Sequence, residues 1–339
     1  MKYYKTFNNG ENHPYVLDEL RFTDSKHLFK SIILGDYVRE VILPENTKPI
    51  KLADGVYQAD KIILGNRIEL TDDLPMELVA TNETSKQRLY EVIYATVQNP
   101  RKLEQLASKY PDLLNPKYAT NAIDDASASG HIEMVRWLFT SPNAPSERQY
   151  TSDAIDWASA NGHDEMVCWW FISPDAPSEK KYTTSAINKA SANGHVKMVC
   201  WWFTSPDAPS KKEYTADAID GASANGHVKM VRWWFTSPDA PSEKKYTADA
   251  IDRASRNGHV KVVRWWFASS DAPSEKKYTA NAIDDAMHCR QIEMIRWWFA
   301  SPDAPSEKKY ASIEAKMTNW LFTSPGSPDR KYVGKAICP

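Results

Sequence analysis

Residues 214–245 read YTADAIDGASANGHVKMVRWWFTSPDAPSEKK, and this stretch decides the fold. Ala218, Ile219 and Ala222 fall at i, i+1 and i+4, a narrow stripe of small apolar residues suited to a short helix packed closely on its neighbours. Thr215 stands where it caps that helix, Asp217 complements the dipole in the first turn, and Asn225-Gly226 supplies a left-handed stop. A second helix is predicted from about His227 to Ser237, with Val228, Met230, Val231, Trp234 and Phe235 forming a wide apolar face. Pro238 closes it, and the run Pro238 to Ser242 reads as a rigid turn rather than a hairpin. The unit is helix, turn, helix, Pro-rich loop.

Outward from this stretch, tyrosine recurs at 118, 150, 182, 214, 246, 278 and 310, a strict 32-residue period that carries six near-identical copies over residues 118–309. A period of this size predicts a solenoid of stacked helical units. Leu89 to Ala107 follows the same pattern at an offset of 31, with Val92 matching Ile123 and Ala95 matching Ala126, so residues 83–117 read as a degenerate capping repeat. The copy from Tyr310 reaches Trp320 after 10 residues instead of 19, which makes residues 310–339 a truncated terminal repeat, expected to be the least ordered part of the array. Residues 1–82 form a leader domain. Its strand-like runs, Val38 to Leu43, Lys61 to Leu64 and Arg67 to Leu70, with a helix near Ser25 to Ile33, predict a small α/β or mostly β unit. The fold class is therefore mainly α, a helical-repeat solenoid behind that leader.

The unit resembles the ankyrin repeat, with its T-P-L-H-x-A-A-x-x-G-H signature and V-V-x-x-L-L second helix. Ile219 takes the Leu position, Ala222 the first Ala, Gly226-His227 the Gly-His pair and Trp233-Trp234 the Leu-Leu pair. Asp217-Ala218 stands in place of Thr-Pro, Asp220 in place of the first His, and the period is 32 rather than 33, so the interhelical hydrogen bonds and the hairpin are expected to differ. The resemblance covers roughly residues 87 to 337. The variant A-I-D-x-A-S-x-N-G-H with a W-W second helix is most similar to the ankyrin-like proteins of giant DNA viruses of amoebae, of the mimivirus type. The stretches Tyr37 to Pro44 and Tyr57 to Gly65 also resemble a small leader domain that precedes ankyrin arrays in those proteins. The resemblance implies a protein-protein interaction array and assigns the leader no activity. It also implies an intracellular location, in the host cytoplasm for a viral protein.

Composition narrows the function further. Forty-two basic residues against 44 acidic ones leave a net charge of −2, with no basic excess to attract nucleic acid or anionic lipid. The longest apolar run, Met166 to Ile172, spans 7 residues, against the roughly 20 that a membrane helix needs. The amino terminus lacks a secretory apolar stretch, and cysteines 168, 200, 289 and 338 show no C-x-x-C pair, which suits a reducing compartment and free thiols. No nucleotide, zinc-protease or esterase motif is present, so enzymatic activity would rest on scattered residues such as His13, His27, Glu40 and Asp60. Neither a catalytic residue, nor a cofactor, nor a metal site is expected.

The recurrent features have structural readings. Histidines 131, 163, 195, 227 and 259 occupy one repeat position, but packed helices lie ~8–10 Å apart, too far for equivalent imidazoles to share an ion, so they are read as turn-stabilising. Of each Trp pair, one member is expected to face the next repeat and the other to be partly exposed. The Lys pairs at 180–181, 244–245, 276–277 and 308–309, beside Glu and the loop Asp, are read as a neutralised solvated face. Arg290 replaces the turn glycine in the copy from Tyr278, so that turn is either remodelled or strained.

One position of the first helix changes chemistry from copy to copy while its neighbours stay fixed: Asp125, Trp157, Lys189, Gly221, Arg253 and Asp285. On a helical wheel it points roughly 110–120° from the apolar stripe, toward solvent. Varied chemistry on a fixed scaffold would encode a partner; drift at an exposed site is the plain alternative. The expected function is a non-enzymatic scaffold, a monomer that binds a protein partner and neither nucleic acid nor membrane. Two rivals are a leader that acts as adaptor or modifying module with the repeats selecting its substrate, and a truncated expansion product with little function.

Overall fold

The structure, a computed structural model, describes residues 3–7, 16–24, 37–53, 55–69, 97, 99–109, 113 and 121–316. It is mainly helical with a β-rich amino-terminal part, and it divides into two compact units, Met1–Ala154 and Ile155–Pro339.

The first unit begins with five antiparallel strands: β1 (Tyr3–Phe7), β2 (Val16–Asp24), β3 (Tyr37–Ile42), β4 (Ile50–Ala53) and β5 (Val56–Glu69). Both β1 and β5 pair with β2 and with β3, so these four strands close into a small ring, and β4 is appended to β5. Phe22, Tyr37, Val41, Ala59, Ile62 and Leu64 fill the core of this ring, with Tyr3 edge-on to both Phe22 and Tyr57 at 5.0 Å. The two separate runs predicted over 61–70 are one continuous strand, because Gly65 does not break it. A Cβ on Gly65 would lie 3.3 Å from the Cβ of Glu40, so the glycine admits a close approach to β3. The helix predicted near Ser25 to Ile33 lies outside the described residues.

Helix α1 (Pro100–Lys109) follows, opened by the Asn99 side chain, which accepts from Arg101 N at 3.0 Å. Leu103 and Leu106 are its buried residues, and it packs on α3 (Ile132–Thr140), the partner of α2 (Ala122–Ala128). The rest of the predicted capping repeat is mostly outside the described residues.

Four further helix pairs follow: α4 (Asp153–Ala160) with α5 (Asp164–Ile172), α6 (Thr184–Ala192) with α7 (Val196–Thr204), α8 (Asp217–Ala224) with α9 (Val228–Thr236), and α10 (Asp249–Arg256) with α11 (Val260–Ala268). A last pair, α12 (Asn281–His288) and α13 (Ile292–Ala300), ends the series. The signals that delimit these helices act as their chemistry requires. Thr183 caps α6 by accepting from Ser185 N, and Thr215 accepts from Asp217 N at 3.2 Å although α8 itself begins one residue later than predicted. At the other end Gly226 takes φ 81°, and His227 N donates to Ala222 O at 2.9 Å, closing α8 in a left-handed turn. The Pro-rich loop turns tightly, Asp239 N donating to the Ser237 hydroxyl and Ala240 N to the Ser237 carbonyl, both at 3.2 Å.

Within the second unit these pairs stack in two layers, α6 on α8 on α10 on α12 and α7 on α9 on α11 on α13. The second Trp of each pair, Trp170, Trp202, Trp234, Trp266 and Trp298, is fully buried. Its indole donates to a buried serine of the preceding repeat: Trp202 to Ser159, Trp234 to Ser191, Trp266 to Ser223 and Trp298 to Ser255, at 2.8–3.3 Å. The first member departs from the expected partial exposure in three of these five pairs and meets it in two. Trp169, Trp265 and Trp297 are buried, while Trp201 and Trp233 are half-buried. A phenylalanine of the preceding repeat covers each of four of them, as Phe235 does Trp265 at 5.3 Å and Phe267 does Trp297 at 5.5 Å. The Trp pairs therefore serve the core.

Arg290 keeps the left-handed turn with φ 54°, and Gln291 N still donates to Ala286 O at 2.9 Å, so the turn is strained and not remodelled. Two stability changes follow, both readable by urea unfolding. Trp234→Ala lowers stability by about 3–5 kcal/mol, as large-to-small changes at filled aromatic sites do, and Arg290→Gly raises it by about 1 kcal/mol.

Candidate interaction surface

What holds the first helices in register is a polar clamp that joins residues 27 apart and recurs with the 32-residue period. Asp156 accepts from Thr183 N at 2.9 Å and from its hydroxyl at 2.6 Å; Asp220 does the same with Thr247 at 3.0 and 2.6 Å, and Asp252 with Thr279 at 2.9 and 2.5 Å. In the first unit Asp124 makes this clamp with Thr151. Asn188 fills the position once, its carbonyl accepting from Thr215 N at 3.0 Å and its amide donating to the Thr215 hydroxyl at 2.8 Å. Burial raises the pKa of Asp124, Asp220 and Asp252, and the threonine hydrogen bonds only partly offset it. Sequence reading took Asp220 for a substituted ankyrin histidine; the signal for the clamp is the joint recurrence of Asp and of a Thr 27 residues on.

Against this fixed frame stand the varied residues. Asp125 lies on α2 in the first unit and is half-buried. The other five lie on the first helices of the second unit. Trp157 is 41% exposed, and the Lys189 ammonium sits over its ring at 3.6 Å, a close cation–π contact between neighbouring repeats. Arg253 is exposed and pairs with Asp249 one helical turn back at 2.8 Å. Asp285 is half-buried and adds to the raising of the Asp252 pKa by its charge. Gly221 is set apart, since a Cβ there would lie 2.7 Å from the Cβ of Ala192. Its identity answers to the close approach of α6 and α8 and carries no side chain to offer a partner.

The Lys pairs require a correction. Lys180, Lys244, Lys276 and Lys308 donate to the carbonyls of Pro177, Pro241, Pro273 and Pro305 inside their own loops, and burial lowers the pKa of each. The following lysines reach back to the tyrosine that opens their own copy, Lys245 to Tyr214, Lys277 to Tyr246 and Lys309 to Tyr278, with the ammonium 4.4–5.1 Å from the ring centre. They also donate to the carbonyls of the same tyrosines. The first lysine of each pair stitches its loop, while Lys245, Lys277 and Lys309 stay exposed, as the solvated reading requires, and still contact a tyrosine.

Cys168, Cys200 and Cys289 are free thiols, and Cys338 lies outside the described residues. Among the described residues no group of three His, Cys, Asp or Glu side chains is placed to hold a metal ion, and no helix is long and apolar enough to cross a membrane. No protein-family model matches the chain, and no curated protein matches it significantly.

The clamp generates a pH prediction. A carboxyl held above its ordinary value binds its proton more tightly in the folded state. Its stabilising contribution is therefore full below the ordinary carboxylate value of ~3.9 and is lost as pH rises through the folded value. Asp220→Asn, which copies Asn188, leaves stability near neutral pH unchanged or raised and flattens this acid dependence. Asp220→Ala strands the Thr247 amide and lowers stability by about 1–3 kcal/mol. Urea midpoints of the three chains across acid pH check both outcomes.

Proposed function

We propose that the chain is a non-enzymatic interaction scaffold, an ankyrin-like solenoid whose first-helix stripe binds a protein partner. The observation that carries this reading is the contrast within one helix turn. Asp220 and Ala222 repeat with constant contacts, while Trp157, Lys189, Arg253 and Asp285 differ at one register position and include a tryptophan 41% exposed to solvent. Large aromatic and arginine side chains are the ones that dominate binding energy when a partner covers them. The 32-residue helix-turn-helix unit, the left-handed glycine at its turn and the short second helix support the ankyrin-like reading, and the giant-virus kinship rests on the A-I-D-x-A-S-x-N-G-H variant.

Gly221 drops out of the proposed surface for the packing reason given above. Affinity capture from the cells that express the protein, with the wild type and a variant carrying Trp157, Lys189, Arg253 and Asp285 all changed to Ala, tests it. A partner held by the wild type and lost by an equally folded variant supports the stripe as the binding face. Identical captures would show the stripe to be drift.

A further inference from the structure

The histidine position forms a second column through the second unit, distinct from the stripe. The ring of His195 lies on Gly162, that of His227 on Gly194 and that of His259 on Gly226, each on the turn glycine of the preceding repeat. The fit is close: a Cβ on any of these glycines would come within 2.6–2.7 Å of an imidazole Nδ1. Gln291 takes the equivalent seat on Gly258 in the last copy, a neutral side chain where the others carry an imidazole. Each histidine also stands at the amino-terminal end of a second helix, His195 before α7, His227 before α9 and His259 before α11, where the helix dipole opposes a positive charge.

We propose that the column of imidazoles, acting through His227 and His259, is a pH-sensitive seam that loosens the middle repeats of the second unit when the medium turns mildly acidic.

The groups around the column favour that response. Burial is the chief cause that lowers the pKa of His227, followed by the charges of His195 and His259 on either side of it. Burial also lowers that of His259, with a backbone hydrogen bond to Ala224 acting the other way. Lys197, Lys229 and Lys261, two residues into the same second helices, are exposed and of like sign. Among the described residues no carboxylate contributes to the shift at His227 or at His259. The sign follows: a lowered folded value lets the unfolded chain take the proton first as pH falls below about 6.5, so the folded repeats lose stability between there and the folded value. The buried aspartates respond in the opposite sense, and they are the same in both chains compared below.

The test compares the full chain with H195Q/H227Q/H259Q, a variant that extends the Gln291 solution to the whole column. Thermal midpoints are measured from about pH 8 to about pH 5. The wild type is expected to lose roughly 3–5 °C for each imidazole lowered by one pKa unit, and the variant to stay flat over that range. Equal losses in both chains overturn the proposal. Nuclear magnetic resonance titration of the wild type decides independently of how the variant folds. A value for His227 below about 6.5 supports the seam, and a value at or above it overturns the seam.

Discussion

The hydroxyl of Ser191 is the point on which the array turns. It accepts from the Trp234 indole at 2.8 Å and donates to the Ala218 carbonyl at 2.6 Å, so one buried oxygen on α6 engages both helices of the following repeat. A helix pair of this size buries too little surface to hold its own geometry, and neighbouring units must supply it. The serine bridge fixes the depth at which the tryptophan enters, and the Asp–Thr clamp fixes the register at the opposite end of the first helix. With both ends set, the small residues Ala218, Ile219 and Ala222 can meet their neighbours at full burial, and the Phe–Trp contacts close the second layer. Loss of the hydroxyl would leave the buried Trp234 indole N–H without a partner, a larger penalty than the one bond suggests.

This economy explains where variation is permitted. Most positions in a repeat touch the repeat before or after it, so a change there must be matched in the neighbour. The stripe at Trp157, Lys189, Arg253 and Asp285 tolerates more on the first helices: none of the four is fully buried, and the contact between neighbours, Lys189 on Trp157, is made by side-chain ends. Gly221 marks the limit of that freedom: where α6 and α8 approach most closely, even a methyl group collides with Ala192. The same position in one array thus serves packing in one copy and surface chemistry in the others.

Much of the fold was legible because repetition multiplies weak signals. One Asn-Gly or one Trp pair says little, whereas its recurrence every 32 residues sets helix ends and the buried stripe with little ambiguity. What stayed hidden depends on partners distant in sequence. A buried Asp looks like a surface residue until the Thr 27 positions on is brought against it, and Lys244 looks solvated until the loop folds its ammonium onto the Pro241 carbonyl. The burial of Trp265 follows from Phe235 of the preceding copy, which no single helical wheel can show. In the leader, Gly65 carried the cue of a break while its actual role is to admit a neighbouring strand. The stripe itself was visible as variation, but the stacking of Lys189 on Trp157 needed coordinates.

The sameness of the junctions has a consequence for how such a chain changes over time. The contacts that join residues 182–213 to 214–245 largely repeat in the junction of 214–245 with 246–277; in the clamp Asn188 stands for Asp220, and the side-chain bond to the threonine hydroxyl reverses its donor. Excising or duplicating 32 residues rejoins like surfaces, so the gene can lengthen or shorten the array in whole steps without inventing an interface. One packing difference between these two junctions is Gly221, where a Cβ would lie 2.7 Å from that of Ala192. Array length is in this sense a heritable setting, adjustable by recombination between near-identical copies.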